Sequence, residues 1–462
     1  MITKREAKLV LENCLTTGGD FADIFLEDTI ENTIEFSSGA VTKTNTSNLH
    51  GAGIRILKRD EEVYGYTNNL GFDSLNQLAI SLRESFNDEP VQISFDLNEE
   101  IRYDNHKIVR VPKEVSNTEK IGYLEKLYQI AKDYNELITQ VVVTLWDRTQ
   151  DITIYNTEGK TVIDRRSNVR ISLVVVAKRG QVVQTAHDSI GRNQGLEIYD
   201  QVDLEAFAKS VAESAIKMLD AKDISGGQMP VVIHNAFGGV ILHEACVHAL
   251  EATTVAKGLS VFSGKLGQKV ASDIVTAVDD GTIPNNWGSL NVDDEGNKTQ
   301  RNVLIEKGIL KSYLIDKRNA ITMNSKSTGS GRRESYRYSP TSRMTNTFFE
   351  NGSSTVEEII SSTKYGLFAK KMGGGSVNPT TGEFNFAVNE AYMIEDGKLT
   401  YPVKGVTLID SGPDVIQKID MIANNLSYGH GMCGSVSGSI PTDVGQPTIR
   451  VSSITVGGRG GN

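Results

Sequence analysis

Apolar positions recur at two spacings along this chain, and the switches between them predict its elements. Near the start, Ala7, Val10, Leu11 and Cys14 lie three or four apart, one face of a helix, and Thr3 with Glu6 forms the capping box that opens it. Residues 22–27 (ADIFLE) read as strand, Ile30, Ile34 and Phe36 share a strand face, and 51–57 (GAGIRIL) supply another strand. Ser74 with Gln77 predicts a second capped helix running to about residue 86. The polar stretch 87–111 reads as a long connection. Ser116 with Glu119 then caps a helix over 117–134. Four strands follow at 138–146, 151–155, 169–177 and 181–186, and their short polar turns predict an antiparallel meander. A helix over 204–219 closes this half.

The character changes after Asp223-Ile224-Ser225-Gly226-Gly227, the best linker in the sequence. Beyond it come a strand, a helix, and then mainly strands separated by Gly- and Asn-rich turns. No period of 20–50 residues repeats, which excludes solenoids and propellers. The pattern predicts an α+β protein. Residues 1–224 form a mixed α/β domain with the meander, subdivided near 87–112, and 225–462 form a strand-rich domain.

Composition narrows the class without naming it. The hydrophobic fraction of 39% and charged fraction of 23% suit a globular chain and exclude disorder as the main state. A net charge of −10 argues against nucleic acid or an anionic membrane as partner. The longest apolar stretch, 229–250, contains three His, Asn235 and Glu244, so it reads as a strand and a buried helix, not a membrane span. Cys14, Cys246 and Cys433 are odd in number and far apart, unlike a disulfide scaffold. The N-terminal segment lacks an uninterrupted apolar core and a small-residue cleavage site. Together these predict a cytoplasmic protein.

Candidate chemistry concentrates in one window, His243-Glu244-Ala245-Cys246-Val247-His248. With seven His and 58 acids in the chain, a His followed by any acid and, four residues after that acid, a second His has a chance expectation of roughly 0.013. Two imidazoles can bind Zn²⁺, and an adjacent Glu can accept a proton from bound water. The familiar zinc-peptidase motif spaces its histidines by four residues, about 40° around a helix, whereas five gives about 140°. A regular helix would point these rings apart. A single π turn between Glu244 and His248 would restore a common face. A catalytic zinc needs a third protein ligand; Cys246, Cys433 and His430 are candidates, and spacing does not choose among them.

The residues beyond this window carry a resemblance. GGVILHEACVHALEA, DDEG at 293–296, LIEKGILKSYLID, GRRESYRYSPTSRMTNT (331–347), GEFNFAVNEAYMIEDGK, PVKGVTLI and GMCGSVSGSIPTDVGQPTIRVSSITVGG occur in order. They resemble blocks of the TldD/PmbA family, the TldD branch in particular, whose members are also called modulators of DNA gyrase. The resemblance implies a zinc-dependent peptidase with His243, His248 and Cys433 on the metal and Glu244 as general base. It implies unfolded peptides or small proteins as substrates, an enclosed cavity, and either a homodimer or a heterodimer with a PmbA/TldE-type chain. The sequence departs from the family at Val247 and Ala249, where glycines are usual, and at Ser435, where a Lys is usual.

Further candidates stand beside these ligands. Arg332 and Arg333 are candidates for a peptide carboxylate or an oxyanion, with a structural ion pair to Glu334 or Asp316 as the alternative. Tyr336 and Tyr338 alternate with Arg337 as on a strand. Gly373, Gly374 and Gly375 read either as a groove where a substrate strand adds or as a flexible turn. Two rival functions remain: a non-catalytic metal-containing partner or regulator of a peptide-processing complex, and a hydrolase of a small amide.

Overall fold

The computed structural model describes residues 2–378 and 381–458. Its first half is built on one long sheet of β1 (Phe21–Ser37), β2 (Ala40–Lys58), β3 (Glu61–Thr67), β4 (Glu99–Arg102), β5 (Ile138–Asn156), β6 (Lys160–Arg179) and β7 (Val182–Asn193). The strand order is β3-β2-β1-β5-β6-β4, with β7 also on β6. β5, β6 and β7 are successive antiparallel neighbours, so the predicted meander is present. Helix α1 (Lys4–Leu15) opens on the Thr3–Glu6 capping box and buries Ala7, Val10, Leu11 and Cys14. Helix α2 spans Phe72–Arg83. Helix α3 (Asn117–Asp133) opens on Ser116, whose hydroxyl accepts from Glu119 N. With the helix Leu204–Lys217, α3 covers the alternate apolar residues of β5 and β6.

Three readings need correction. α2 begins ahead of Ser74; its N-cap is Gly71, which makes no side-chain bond, and Ser74 and Gln77 lie inside the helix. Residues 138–146 and 151–155 belong to one strand, because the intervening polar residues are paired and not turned out. Lys120 Nζ lies 2.7 Å from Asp147 Oδ2, and Gln150 Nε2 donates to Glu27 over 2.8 Å. Residues 334–338 turn instead of extending, with Tyr338 N donating to Ser335 O; Tyr336 is nevertheless packed in the core.

The second half holds two larger sheets. β8 (Lys222–Asp223), β9 (Gly227–Ile233), β16 (Tyr365–Val377), β17 (Glu383–Glu395), β18 (Lys398–Lys404), β19 (Val406–Ser411), β20 (Ile419–Ile422) and β23 (Ile449–Gly457) make an eight-stranded sheet. A six-stranded sheet comprises β10 (Ala277–Asp280), β11 (Arg301–Glu306), β12 (Ile309–Leu310), β15 (Asn346–Phe349), β21 (Ser427–Ser435) and β22 (Gly438–Gln446), and β21 is an edge strand. β13 (Gly331–Arg332) and β14 (Thr341–Ser342) form a small ribbon. Residues 229–250 are strand β9 followed by a buried helical run, as predicted, and no helix among the described residues is long and apolar enough to cross a membrane.

The halves are fastened by buried charge. Arg55 on β2 donates to Asp23 on β1 and, over 2.7 Å, to Glu295 in the turn after Val292. Arg166 on β6 donates to Asp294 over 2.6 Å. Buried ions of this kind are tolerated only when matched.

Candidate metal centre

Residues 236–250 are helical throughout but not uniform. A 3₁₀ turn (Ala236–Gly239) and one α turn (Val240–Leu242) lead into a π turn (His243–Val247), and a second 3₁₀ turn (His248–Leu250) follows. The π turn is the irregularity that the five-residue spacing demands. It brings the His243 and His248 ring centroids to 5.0 Å. Val247 is buried within it, so valine here does not prevent the turn. Space for the widened backbone comes from Gly412, where a Cβ would stand 1.9 Å from Ala245 O. Cys246 donates to Gly412 O over 3.7 Å, and burial pushes its thiol up to about 12, which marks it as packing.

Cys433 arrives from the edge strand β21, opposite Ile440 of β22. Its Sγ lies 3.2 Å from His243 Nε2 and 3.3 Å from His248 Nε2, and the three potential ligand atoms all fall within 4.8 Å of one another. Burial alone would raise this thiol, but the adjacent imidazoles outweigh it and hold Cys433 at about 3. Burial likewise opposes charge on His248, yet Glu251 and Cys433 lift it well above its ordinary value. Both shifts run toward the charged form, the thiolate at Cys433 and the protonated ring at His248.

The outer ring nitrogens are also held. His248 Nδ1 lies 3.1 Å from Glu251 Oε2, and His243 Nδ1 lies 3.4 Å from Thr347 Oγ1. Such contacts fix each ring with Nε2 facing inward. Arg343, fully buried, donates to the carbonyl of Cys433 and stands 3.9 Å from Glu251. Sequence reasoning missed Glu251, Thr347 and Arg343; only Glu251, three residues after His248, carried a spacing signal.

The donor set fits a zinc-type ion in both chemistry and size. Two imidazoles and a preformed thiolate are ligands that a borderline-soft cation prefers. A tetrahedral ion with ordinary bond lengths separates such S and N atoms by roughly 3.6 Å. A few tenths of an ångström of opening would therefore admit it. Glu244, its side chain 32% exposed, reaches to 3.6 Å from His248 Nε2.

Other candidates lie elsewhere. His430 is held by Asp443 at 2.9 Å and faces Arg192 at 3.3 Å, outside the cluster. Arg332 and Arg333 are buried and committed, which corrects their assignment to substrate. Arg332 donates to Met344 O and Pro441 O, and burial pulls it down to about 9. Arg333 donates to Asp294 O and Tyr64, and it stacks on Phe25 at 4.5 Å. Neither forms the expected ion pair with Glu334 or Asp316. Gly374 lies within strand β16, not in a flexible turn, and is exposed with no atom within 4 Å of a Cβ position.

Models of three PmbA/TldA metallopeptidase domains match this chain: domain 1 over residues 22–85, the central domain over 110–219 and the C-terminal domain over 226–458. The chain belongs to the PmbA/TldD metallopeptidase family. A metalloprotease TldD homolog of Buchnera aphidicola (from Schizaphis graminum) is 36% identical over 458 residues, 97% of this chain and 95% of the relative. A zinc metalloprotease TldD homolog of Saccharolobus solfataricus is 24% identical, with 96% and 97% covered. Two solved structures share the fold. One, from Thermotoga maritima and named for modulation of a DNA gyrase, has a TM-score of 0.80 at 22% identity and covers 98% of this chain and 100% of its own. The other, TldE from Thermococcus kodakarensis, scores 0.77 at 18% identity, covering 98% and 99%. The TldD resemblance and the α+β fold are thus borne out.

Proposed function

We propose that this chain is a zinc-dependent peptidase that hydrolyses unfolded peptides or small proteins inside a dimer cavity. The observation that carries the reading is the convergence of two imidazole nitrogens and a cysteine sulfur on one point, with the Glu244 carboxylate alongside. Three protein ligands leave one position open, the pattern of a catalytic site and not of a closed structural one. His243, His248 and Cys433 would hold the ion, which when bound supplies Lewis acidity and an acidified water. Glu251 and Thr347 hold the two rings from their outer nitrogens, so that both Nε2 atoms face the ion position. The Cys433 thiolate offsets one unit of positive charge. Glu244 accepts a proton at its carboxylate and returns it to the leaving amine.

Strand addition at β16 is the binding mode proposed for an extended substrate. β16 pairs with β9 only at residues 367–369, so beyond them the backbone around Gly374 offers unused groups to an added strand. The partner in the dimer is a second copy or a TldE-type chain, a reading supported by the fold shared with TldE.

The test is metal analysis combined with cleavage of an unfolded peptide. Wild type is expected to carry zinc and cleave, and Glu244→Ala to keep its zinc while losing about 10²–10⁴-fold in rate. Unchanged cleavage in the variant would remove Glu244 from the mechanism. Zinc without cleavage in wild type would favour the non-catalytic metal-bearing partner.

A further inference from the structure

A cavity of about 450 Å³ lies between the first sheet and the start of the helical run. Arg170 of β6 and His187 of β7 face it from one side, with Phe237, Lys370 and His430 on the other. Most of its charge is already matched. Lys370 lies 2.7 Å from Glu390, Lys371 lies 2.9 Å from Asp188, and His430 lies 2.9 Å from Asp443.

Arg170 is the exception. Its guanidinium stacks 5.5 Å from the Trp287 ring, its Nε is buried without a hydrogen-bond partner, and no acid among the described residues pairs with it. Burial accordingly pulls Arg170 below its ordinary value. A withdrawn cation without a counter-ion is costly, and the guanidinium fork matches a carboxylate.

Two elements lead from this cavity to Cys433. At the cavity end, Gly429 packs so closely on the helical run that a Cβ there would stand 2.8 Å from Phe237 Cα. Four residues along β21 is Cys433, and six along the helical run is His243, where the two meet at 3.2 Å. Those paths span about 13 Å of strand and about 9 Å of helix. That separation equals the length of roughly three extended residues.

We propose that the cavity is a carboxylate subsite in which Arg170 binds the C-terminal carboxylate of a peptide, placing a bond about three residues upstream at the metal centre. The proposal rests on the peptidase reading and adds a substrate class, peptides presenting a free C-terminal end.

The chain has two tryptophans, Trp146 and Trp287, with ring centroids 5.6 Å apart beside Arg170. Their fluorescence reports binding without turnover. Metal-free wild type would be titrated with tetra-alanine as free acid, with tetra-alanine amide, and with an amidated tetrapeptide carrying one glutamate. The free acid is expected to bind about ten- to hundredfold more tightly than the amide, the range of a charge-assisted contact. Arg170→Gln should abolish that preference and Arg170→Lys retain part of it. Equal binding of acid and amide by wild type overturns the proposal without reference to any variant. A preference that persists in Arg170→Gln also overturns it. Glutamate-amide binding as tight as the free acid would show side-chain recognition and exclude the terminal carboxylate. Since the readout needs neither ion nor cleavage, normal acid preference in a protein that never cleaves would sink the peptidase reading alone.

Discussion

Two buried polar clusters in this molecule are arranged in opposite ways. Where the first sheet meets the turn after Val292, signs alternate: Asp23, Arg55 and Glu295 make one series, and Arg166 with Asp294 another. Each arginine there finds an acid. At Cys433, by contrast, two imidazole nitrogens and one sulfur aim at a single point, the sulfur 3.2 and 3.3 Å from the nitrogens. An alternating series is complete in itself and acts as a fastener. Ligand atoms that converge in this way suit a cation, and on the proposed reading they form a receptor.

The receptor is broken most severely at its sulfur. Cys433→Ala is expected to reduce zinc to background in metal analysis while circular dichroism stays unchanged; stoichiometric zinc in that variant would refute the ligand set. The fastener fails differently. Arg55→Met strands Asp23 and Glu295 without a cation and should cost about 3–5 kcal/mol in denaturant unfolding, with zinc per folded chain unaltered. Wild-type stability in that variant would erase the distinction between the clusters.

A finer change sharpens the contrast. Glu251→Gln leaves the shape of the site but weakens the hold on His248, so chelator competition should show zinc affinity falling 10–100-fold. No loss would reduce Glu251 to packing. The smallest signal is optical. In metal-free protein, absorbance near 240 nm should reveal one thiolate at neutral pH that is missing from Cys433→Ala and titrates near pH 3. Because the shift is downward, the ionised form persists above about 3 and disappears as acid carries the pH through that value. Its contribution to folding is complete above the ordinary thiol value of about 8.5 and is lost progressively below it. A midpoint near 8 would mean that the imidazoles do not stabilise the thiolate.

The same contrast explains what the sequence made legible. Capping at Thr3 and Ser116 and the apolar alternation of 169–177 are local signals, and each appears in the fold. The π turn was legible because a spacing of five between two histidines conflicts with a regular helix. The first half of β6 was missed because Asp164 and Arg166, polar in the sequence, are buried within the fastener. Arg332 and Arg333 looked available for the same reason: a buried arginine and a substrate-binding one are identical letters. Arg343 and Thr347 act through partners about a hundred residues away, a distance that no spacing rule crosses.

Cys433 lies 190 residues after His243 and 185 after His248. At ordinary synthesis rates the ribosome supplies the thiol about 10 to 40 s after the histidines. Throughout that interval the nascent helix can offer only two of the three proposed ligands. With that ligand set, full metal retention becomes a certificate of folding, granted only when the last hairpin has closed on a helix made long before.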